Sequence, residues 1–498
     1  MLNRIYKSVL FNPIYFLVKK SFKLVALLIP YRYKQAHNPT LSLETIKDYN
    51  KNRTSGPRKI ICNAPFKHMY FKQNGDVIAC CATTIDAYGN IREDTVKDIW
   101  KGEKANLLRE KIKNYNLSGG CAGCQHSLES GNYNAFIGRI YDTLLPSLQK
   151  SYPTEMTFEI SNTCNLECVM CSGEFSNLIR KNIEKLPDVP DYFSKDFFQE
   201  IKEFLPYLKR VRFMGGEPFL IKQYEPIMEY LVEQNLSCKI YIQTNGTILN
   251  NFVKKIIEAD NVEVSISIDS LQKERYESIR KNGNFERVMN NLSYFSDRAK
   301  KHHQLININF CVMNTNWDEV PGIMDFCEKN NFTINLIPVE RPRYLSLKAC
   351  KESYLHKVIQ FSEPYIQKIK NKRLALVYED YLKYIRYLSE NSLLNENRKT
   401  ELLMLHLDDL SELSKKLYMQ INSKRIYIEK KLVDDIYEVL DDLSEKEKKS
   451  LMANFIIDLE KINEAEADGK ISDLKELTAL TKVFFADMKK EFNNPDLF

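Results

Sequence analysis

A chain of 498 residues exceeds a single small module and, at roughly 100–200 residues per domain, accommodates about three domains. Its 44% hydrophobic and 28% charged residues, with 16 Gly and 17 Pro spread thinly, exclude a disordered, collagen-like or wholly membrane-embedded chain. A net charge of +6 is small for this length and leaves no basic footprint, so no nucleic-acid partner is expected.

The positive excess sits at one end. Residues 1–34 carry seven basic side chains (Arg4, Lys7, Lys19, Lys20, Lys23, Arg32 and Lys34) and no acid, which leaves −1 for the other 464. Within the N-terminal segment 1–50, the runs 10–18 and 24–29 are largely apolar, but Lys19, Lys20 and Lys23 lie between them. Each mid-bilayer Lys costs roughly 2.5–3.5 kcal/mol, so a spanning helix is disfavoured. Wound as a helix, the three lysines share an arc of about 100°, which suits a helix lying on an anionic membrane surface. Docking on the protein's own body is the alternative. No A-x-A-like cleavage site follows the first apolar run, and the cysteine chemistry below needs a reducing compartment. The expected location is therefore cytoplasmic, peripheral to the inner face of the membrane through residues 1–34.

Residues 58–150 read as a small α/β domain. Stretches 68–71 and 77–80 flank Asn74-Gly75 as a hairpin, a helix is expected over 96–115, and Ser118-Gly119-Gly120-Cys121 makes a tight turn. Twelve cysteines are too few for a disulfide scaffold in this length, but they cluster, and Cys62, Cys80, Cys81, Cys121 and Cys124 fall in this block. Cys62, Cys80, Cys121 and Cys124 supply four thiolates, enough to close a zinc site or hold an iron–sulfur cluster, and spacing alone does not choose between these or unligated thiols. Cys81 is the rival to Cys80, and His126 reads as an ordinary polar side chain.

Across 151–345, six β-rich runs (156–160, 211–214, 239–243, 262–268, 306–312 and 334–339) alternate with amphipathic stretches such as 223–234 and 285–299. That alternation predicts a parallel sheet with right-handed crossovers, a barrel of six β/α units whose chemistry sits at the C-terminal strand ends. There lie Cys164, Cys168 and Cys171 after the first strand, Gly215-Gly216-Glu217-Pro218 after the second, Asn245-Gly246 after the third and Asp269 at the end of the fourth. Three thiolates can hold three irons of a four-iron cluster and leave the last iron open. Cys238, Cys311 and Cys327 read as small buried hydrophobes.

From 351 to 498 Gly469 is the only glycine and Pro364 and Pro495 the only prolines, so this region is expected to be helical. Leu432, Val433, Ile436, Tyr437 and Leu440 form a 3.6-period stripe, and Ser444-x-x-Glu447 reads as a capping box. Residues 465–476 weakly resemble the acidic inter-helix turn of tellurite-resistance-B-like domains, although capping by Gly469 and Ser472 explains them. The expected fold class is α/β: a partial (β/α)6 TIM-like barrel, a small N-terminal α/β cluster-binding domain and a C-terminal all-helical domain.

Cys-Asn-Leu-Glu-Cys-Val-Met-Cys at 164–171, with Gly-Gly-Glu-Pro about forty residues later, resembles the radical S-adenosylmethionine (SAM) superfamily over about 155–340. The resemblance implies that Cys164, Cys168 and Cys171 carry a [4Fe-4S] cluster whose fourth iron is chelated by SAM. It implies that Gly215 and Gly216 allow close backbone approach and Glu217 pairs with the SAM ammonium. It further implies that Asn245, Ser267 and Asp269 lie near the ribose and Met170 near the adenine. The segment from Tyr276 to Gly283 and Phe285 resembles one found in peptide-modifying members; no role is given to Arg280. Gly75-x4-Cys80 resembles the SPASM and twitch auxiliary-cluster modules. Four cysteines suit the one-cluster form, implying a second [4Fe-4S] cluster on Cys62, Cys80, Cys121 and Cys124. Such modules usually follow the barrel, and here the module precedes it.

The implied activity is reductive cleavage of SAM to a 5′-deoxyadenosyl radical that abstracts hydrogen from a substrate, with the second cluster taking part in redox. A low-potential donor such as flavodoxin or ferredoxin is the implied partner. The expected substrate is a ribosomal peptide or protein. One alternative is dehydrogenation of a sugar or aminoglycoside-like molecule, and another a non-catalytic membrane-attached iron–sulfur protein. Retention of Glu217, Asn245 and Asp269 speaks against the last, since a scaffold needs only cysteines.

Overall fold

The computed structural model describes residues 38–83, 86–133, 135–142, 152–193, 195–234 and 237–404. The basic segment 1–34, the stripe and capping box at 432–447 and the turn at 465–476 lie outside the described residues. Among the described residues no helix is long and apolar enough to cross a membrane. The described residues form two compact units: those up to Thr157 with Gln199–Lys209, and Phe158–Phe198 with those from Arg210 to Met404.

In the first unit, the helix Leu43–Asn52 begins at Ser42, whose hydroxyl accepts from the Thr45 N–H at 3.0 Å. Strands β1 (His68–Lys72), β2 (Asp76–Ile78) and β3 (Gly89–Asn90) form an antiparallel meander, with Tyr70 opposite Ile78 and Asp76 opposite Asn90. Gly75 turns β1 into β2 at φ +88°, and a Cβ there would stand 2.6 Å from Asn90 Oδ1, so only glycine fits. The single helix expected over 96–115 is two, Val96–Lys101 and Glu103–Lys113. Gly102 adopts an extended backbone (ψ 168°) and is both the end of the first and the start of the second; glycine is a poor helix former and gives way where packing favours a bend. Buried Arg53 pairs with buried Asp142 and donates to the carbonyls of Ile60 (2.9 Å) and Ile61 (3.3 Å), the two residues before Cys62.

Strand β4 (Glu155–Glu159) carries the chain into the second unit. There follow β5 (Glu167–Cys168), β6 (Arg210–Phe213), β7 (Lys239–Thr244), β8 (Val262–Ser267), β9 (Arg280–Lys281), β10 (Asn307–Val312) and β11 (Thr333–Pro338). Strands β4, β6, β7, β8, β10 and β11 lie in that order, and β6–β7, β7–β8, β8–β10 and β10–β11 pair in parallel. Helices Glu225–Glu233, Asn251–Ile257, Phe285–Lys301 and Val320–Asn330 make the crossovers. This is the expected α/β class, and all six strands fall within about a residue of their predicted bounds at each end. Beside the sheet, β5 and β9 form a two-residue antiparallel clasp, with Cys168 opposite Arg280. The helices Glu352–Ser362 and Lys372–Met404 follow the barrel, and the Tyr354 hydroxyl of the first receives the Trp317 indole N–H (2.7 Å) and donates to the Asn314 carbonyl (2.7 Å).

Aromatic packing fixes the strand ends nearest the cysteines. Phe158 stacks on Phe213 at 5.5 Å between centroids, and Tyr224 packs on Phe213 at 5.0 Å. The fully buried Tyr224 hydroxyl accepts from the Ile160 N–H (3.2 Å) and lies 2.8 and 2.9 Å from the Phe158 and Met214 carbonyls. Tyr224→Phe strands these backbone groups without water, so it is expected to cost about 1–3 kcal/mol, read as a lowered urea midpoint with unchanged denaturant slope.

Candidate functional site

The loop leaving β4 is held by its own side chains before any ligand is considered. Asn177 Oδ1 accepts from the Cys164 N–H (2.9 Å), Asn162 donates to the Gly173 carbonyl (2.8 Å), and the Ser176 hydroxyl donates to the Leu166 carbonyl (2.7 Å). Within the loop the Cys171 N–H reaches the Cys168 carbonyl at 3.0 Å. The three thiols are half-buried, and Cys164 and Cys168 lie near enough to Cys171 to oppose its ionisation. Burial first, and then the neighbouring thiols, push Cys171 up to about 12; burial pushes Cys164 up to about 11. Burial also raises Cys168, opposed by the Arg280 cation.

The Gly215-Gly216 turn is laid against this loop. The Gly216 and Glu217 N–H groups donate to the Ser161 (3.0 Å) and Thr163 (2.8 Å) carbonyls. A Cβ on Gly216 would stand 2.2 Å from the Thr163 carbonyl oxygen, and one on Gly215, at φ +106°, 2.7 Å from that of Ser161. The close approach these glycines permit is to the chain's own backbone just before Cys164. The fully buried Glu217 carboxylate accepts from the Thr244 hydroxyl (2.7 Å), the Asn245 N–H (2.7 Å) and the Phe219 N–H (3.2 Å). Burial outweighs these donors and pushes its pKa up to about 7.

Asn245, also buried, spends its side chain internally, donating to Asn165 Oδ1 (2.9 Å) and accepting from the Thr247 N–H (2.9 Å) and hydroxyl (2.7 Å); its amide nitrogen lies 4.0 Å from Cys164 Sγ. Ser267 is half-buried at the end of β8, opposite Asn309. Met170 packs against Ile279, Met313, Val339 and Leu345. Asp269, with no exposure, accepts from the Cys311 N–H (2.7 Å) and pairs with Arg280 (2.7 Å). Two residues given no role in the sequence thus enter the site. Arg280 is buried with Nη1 3.8 Å from Cys168 Sγ, and Cys311 holds Asp269 through its backbone.

The second cysteine group lies in the first unit. Cys62, Cys80, Cys121 and Cys124 line one small cavity with Thr83, Phe136 and other apolar residues; Cys81 and His126 are exposed, and Cys81 does not line it. Burial raises all four thiols, Cys121 to about 12. Four thiols lining one cavity are a soft donor set that fits an iron–sulfur cluster or a zinc ion. At the three-cysteine loop the fit rests on the soft donor set and on the buried Arg280 Nε, which has no acceptor in the protein.

A parallel α/β barrel with a three-thiol loop at a strand end defines a class of cofactor-dependent enzymes, and the comparisons identify it. Residues 158–327 match the radical SAM superfamily, and residues 62–125 match the iron–sulfur cluster-binding domain called SPASM. Residues 158–327 are thus a radical SAM domain, and a SPASM domain at residues 62–125 precedes it in the chain. The chain's cofactors are a [4Fe-4S] cluster with SAM, and an auxiliary cluster in the SPASM domain. A probable GTP 3′,8-cyclase of Methanocaldococcus jannaschii is 27% identical over 229 residues, covering 46% of this chain and 70% of the relative. A GTP 3′,8-cyclase of Clostridium botulinum is 26% identical over 201 residues, covering 39% and 59%. Similar solved structures include anSMEcpe with bound AdoMet (TM-score 0.34, 20% identity, 44% of this chain and 61% of the other). Another is Streptococcus suis SuiB bound to S-adenosylmethionine (0.34, 14%, 53% and 63%).

The raised Glu217 pKa sets a pH dependence. Unfolded, the carboxyl ionises near its ordinary value of 4.5, and folded near 7, so between these values the folded state holds the extra proton. The stability this contributes is complete below about pH 4.5 and lost as pH rises through 7, on the order of 3 kcal/mol in total. The urea midpoint of the metal-free protein is expected to fall over that window, and Glu217→Gln to flatten the slope whatever its effect on absolute stability.

Proposed function

We propose that the chain reductively cleaves SAM and abstracts a hydrogen atom from its substrate, with Cys164, Cys168 and Cys171 holding the SAM-binding cluster. Cys62, Cys80, Cys121 and Cys124 hold the auxiliary cluster. The observation that carries the reading is the three half-buried thiols on one loop after β4, against which the Gly215-Gly216 turn is hydrogen-bonded. When bound, the cluster and SAM supply an electron at low potential and a carbon-centred radical able to take hydrogen from an unactivated C–H bond. The protein's part is to hold the loop, exclude water and position the substrate. Glu217 and Asn245 do the first by tying the loop and turn to the end of β7, and Met170 contributes an apolar wall.

The leading substrate class is a peptide or protein, and the second reading a small polar molecule. The relatives' names favour the second, since GTP is a small molecule. One face of β8, β10 and β11 bears on the choice. Ser265, Asn307, Asn309, Thr333 and Asn335 form a hydrogen-bonded polar row there, Asn309 Oδ1 accepting from Asn307 (3.0 Å) and Asn335 (2.9 Å). Amides and hydroxyls suit peptide groups or sugars. A triphosphate calls for cations, and Arg210, Arg212 and Lys239 share this sheet face on β6 and β7. A low-potential donor of the flavodoxin or ferredoxin kind supplies the electron. Residues 1–34 hold the enzyme to an anionic membrane surface, a reading that fails if their deletion leaves the soluble and membrane fractions unchanged.

The test is anaerobic reconstitution with iron and sulfide, then SAM and dithionite, with 5′-deoxyadenosine measured. Release above background is expected, and none from protein with its clusters shown to be present overturns the reading. Replacing Cys164, Cys168 and Cys171 by Ala is expected to abolish 5′-deoxyadenosine and leave about four irons per chain; zinc alone in that variant overturns the auxiliary assignment.

A further inference from the structure

An arginine shielded from water must meet its hydrogen-bonding needs inside the protein, and Arg280 does so incompletely. It is 6% exposed. One terminal nitrogen pairs with Asp269 Oδ2 at 2.7 Å and the other lies 3.8 Å from Cys168 Sγ. Nε is buried with no acceptor, and the adjacent Tyr276 hydroxyl is buried without a partner. The backbone reinforces the placement. Arg280 stands opposite Cys168 in the β5–β9 clasp, the Val169 N–H donates to the Ile279 carbonyl (2.9 Å), and the Gly283 N–H closes the turn on the Arg280 carbonyl (2.8 Å). Asp269 is wholly buried, its other oxygen occupied by the Cys311 N–H.

An unpaired buried donor costs about 1–3 kcal/mol, a state that Arg280 Nε shares with Arg298 Nε; the Arg280 guanidinium is set apart by its place beside Cys168. Here it is aimed at a thiol, a weak acceptor that becomes a strong one only as a thiolate. Groups that charge or hydrogen-bond a cluster's sulfurs set its potential.

We propose that Arg280, clamped by Asp269, is a positioning residue that orients Cys168 and tunes the reduction potential of the cluster held by Cys164, Cys168 and Cys171. This rests on the assignment of the cluster to those cysteines. The step concerned is uptake of one electron by the cluster from an external low-potential reductant, with no bond made or broken in the protein. The added negative charge is favoured by the cation and disfavoured by the buried carboxylate. Removing either member of the pair therefore moves the potential in opposite directions.

The experiment uses the full-length protein, reconstituted anaerobically and titrated with dithionite, following by electron paramagnetic resonance the cluster signal that changes on SAM addition. This separates it from the auxiliary cluster. Arg280→Gln is expected to lower the midpoint potential, Asp269→Asn to raise it, and Arg280→Lys, which keeps the charge without the planar fork, to lie between wild type and Arg280→Gln. A general loosening of the fold would reduce iron content without producing shifts of opposite sign. Wild-type protein with iron but no SAM-responsive signal overturns the underlying cluster assignment. A SAM-responsive signal whose potential is unchanged in Arg280→Gln and Asp269→Asn, or moved in the same direction by both, overturns the role of Arg280 alone. If Arg280→Gln fails to load iron, Asp269→Asn and Arg280→Lys decide, and a potential not raised in the first or not lowered in the second overturns the proposal.

Discussion

Charge without water is the constraint that organises the strand ends of the second unit. Glu217, Asp269 and Arg280 are all buried there, and a buried charge is tolerated only with well-placed partners. Each finds them on a neighbouring element, so each becomes a tie. Glu217 binds its turn to the end of β7, Asp269 joins the end of β8 to β10, and Arg280 joins Asp269 to the cysteine loop. The loop therefore depends on four strands at once, and a displacement in one is felt by the thiols.

The first unit uses the same device with a different outcome. Arg53 is buried against Asp142, which also receives Tyr49 Oη (3.3 Å) and Asn63 Nδ2 (3.0 Å), while the arginine reaches the Ile60 and Ile61 carbonyls. Every partner is a protein group, so this pair braces the backbone before Cys62 and asks nothing of the cavity. Arg280 differs in having a cysteine sulfur as a neighbour and a donor left over. The two arginines separate structural bracing from a contact whose natural acceptor is the sulfur itself.

Where local sequence carried a period or a stereochemical demand, the fold could be read directly. Alternating β-rich and amphipathic runs specified the six strands, and Asn74-Gly75 specified the β1–β2 turn because its geometry excludes a Cβ. Gly102 misled, since helical periodicity runs through it on both sides while its backbone is extended. The β5–β9 clasp was illegible because two-residue strands have no period, and with it went Arg280, whose contact with Cys168 spans 112 positions. The thiols were legible as a spacing. What holds them was not, because Asn177, Thr244 and Arg280 act through tertiary partners that no local pattern encodes.

The roles implied for Glu217 and Asn245 change character once their partners are known. Three donors already converge on the Glu217 carboxylate, and the Asn245 amide is divided between Asn165 and Thr247. A side chain so engaged contributes by fixing backbone groups, since breaking those bonds to greet a ligand would forfeit about as much as the new contact supplies. Recognition then falls to groups with capacity to spare. On β8, β10 and β11 the half-buried Ser267 shares a face with the asparagine row, and Asn335 at its edge is exposed. That face continues onto β6 and β7, where Arg210, Arg212 and Lys239 share it, Lys239 pairing with Glu263 of β8. Polar and charged groups that point away from the core along one sheet face are the physical ground for expecting selectivity to be written there and not in the loop that grips the cysteines.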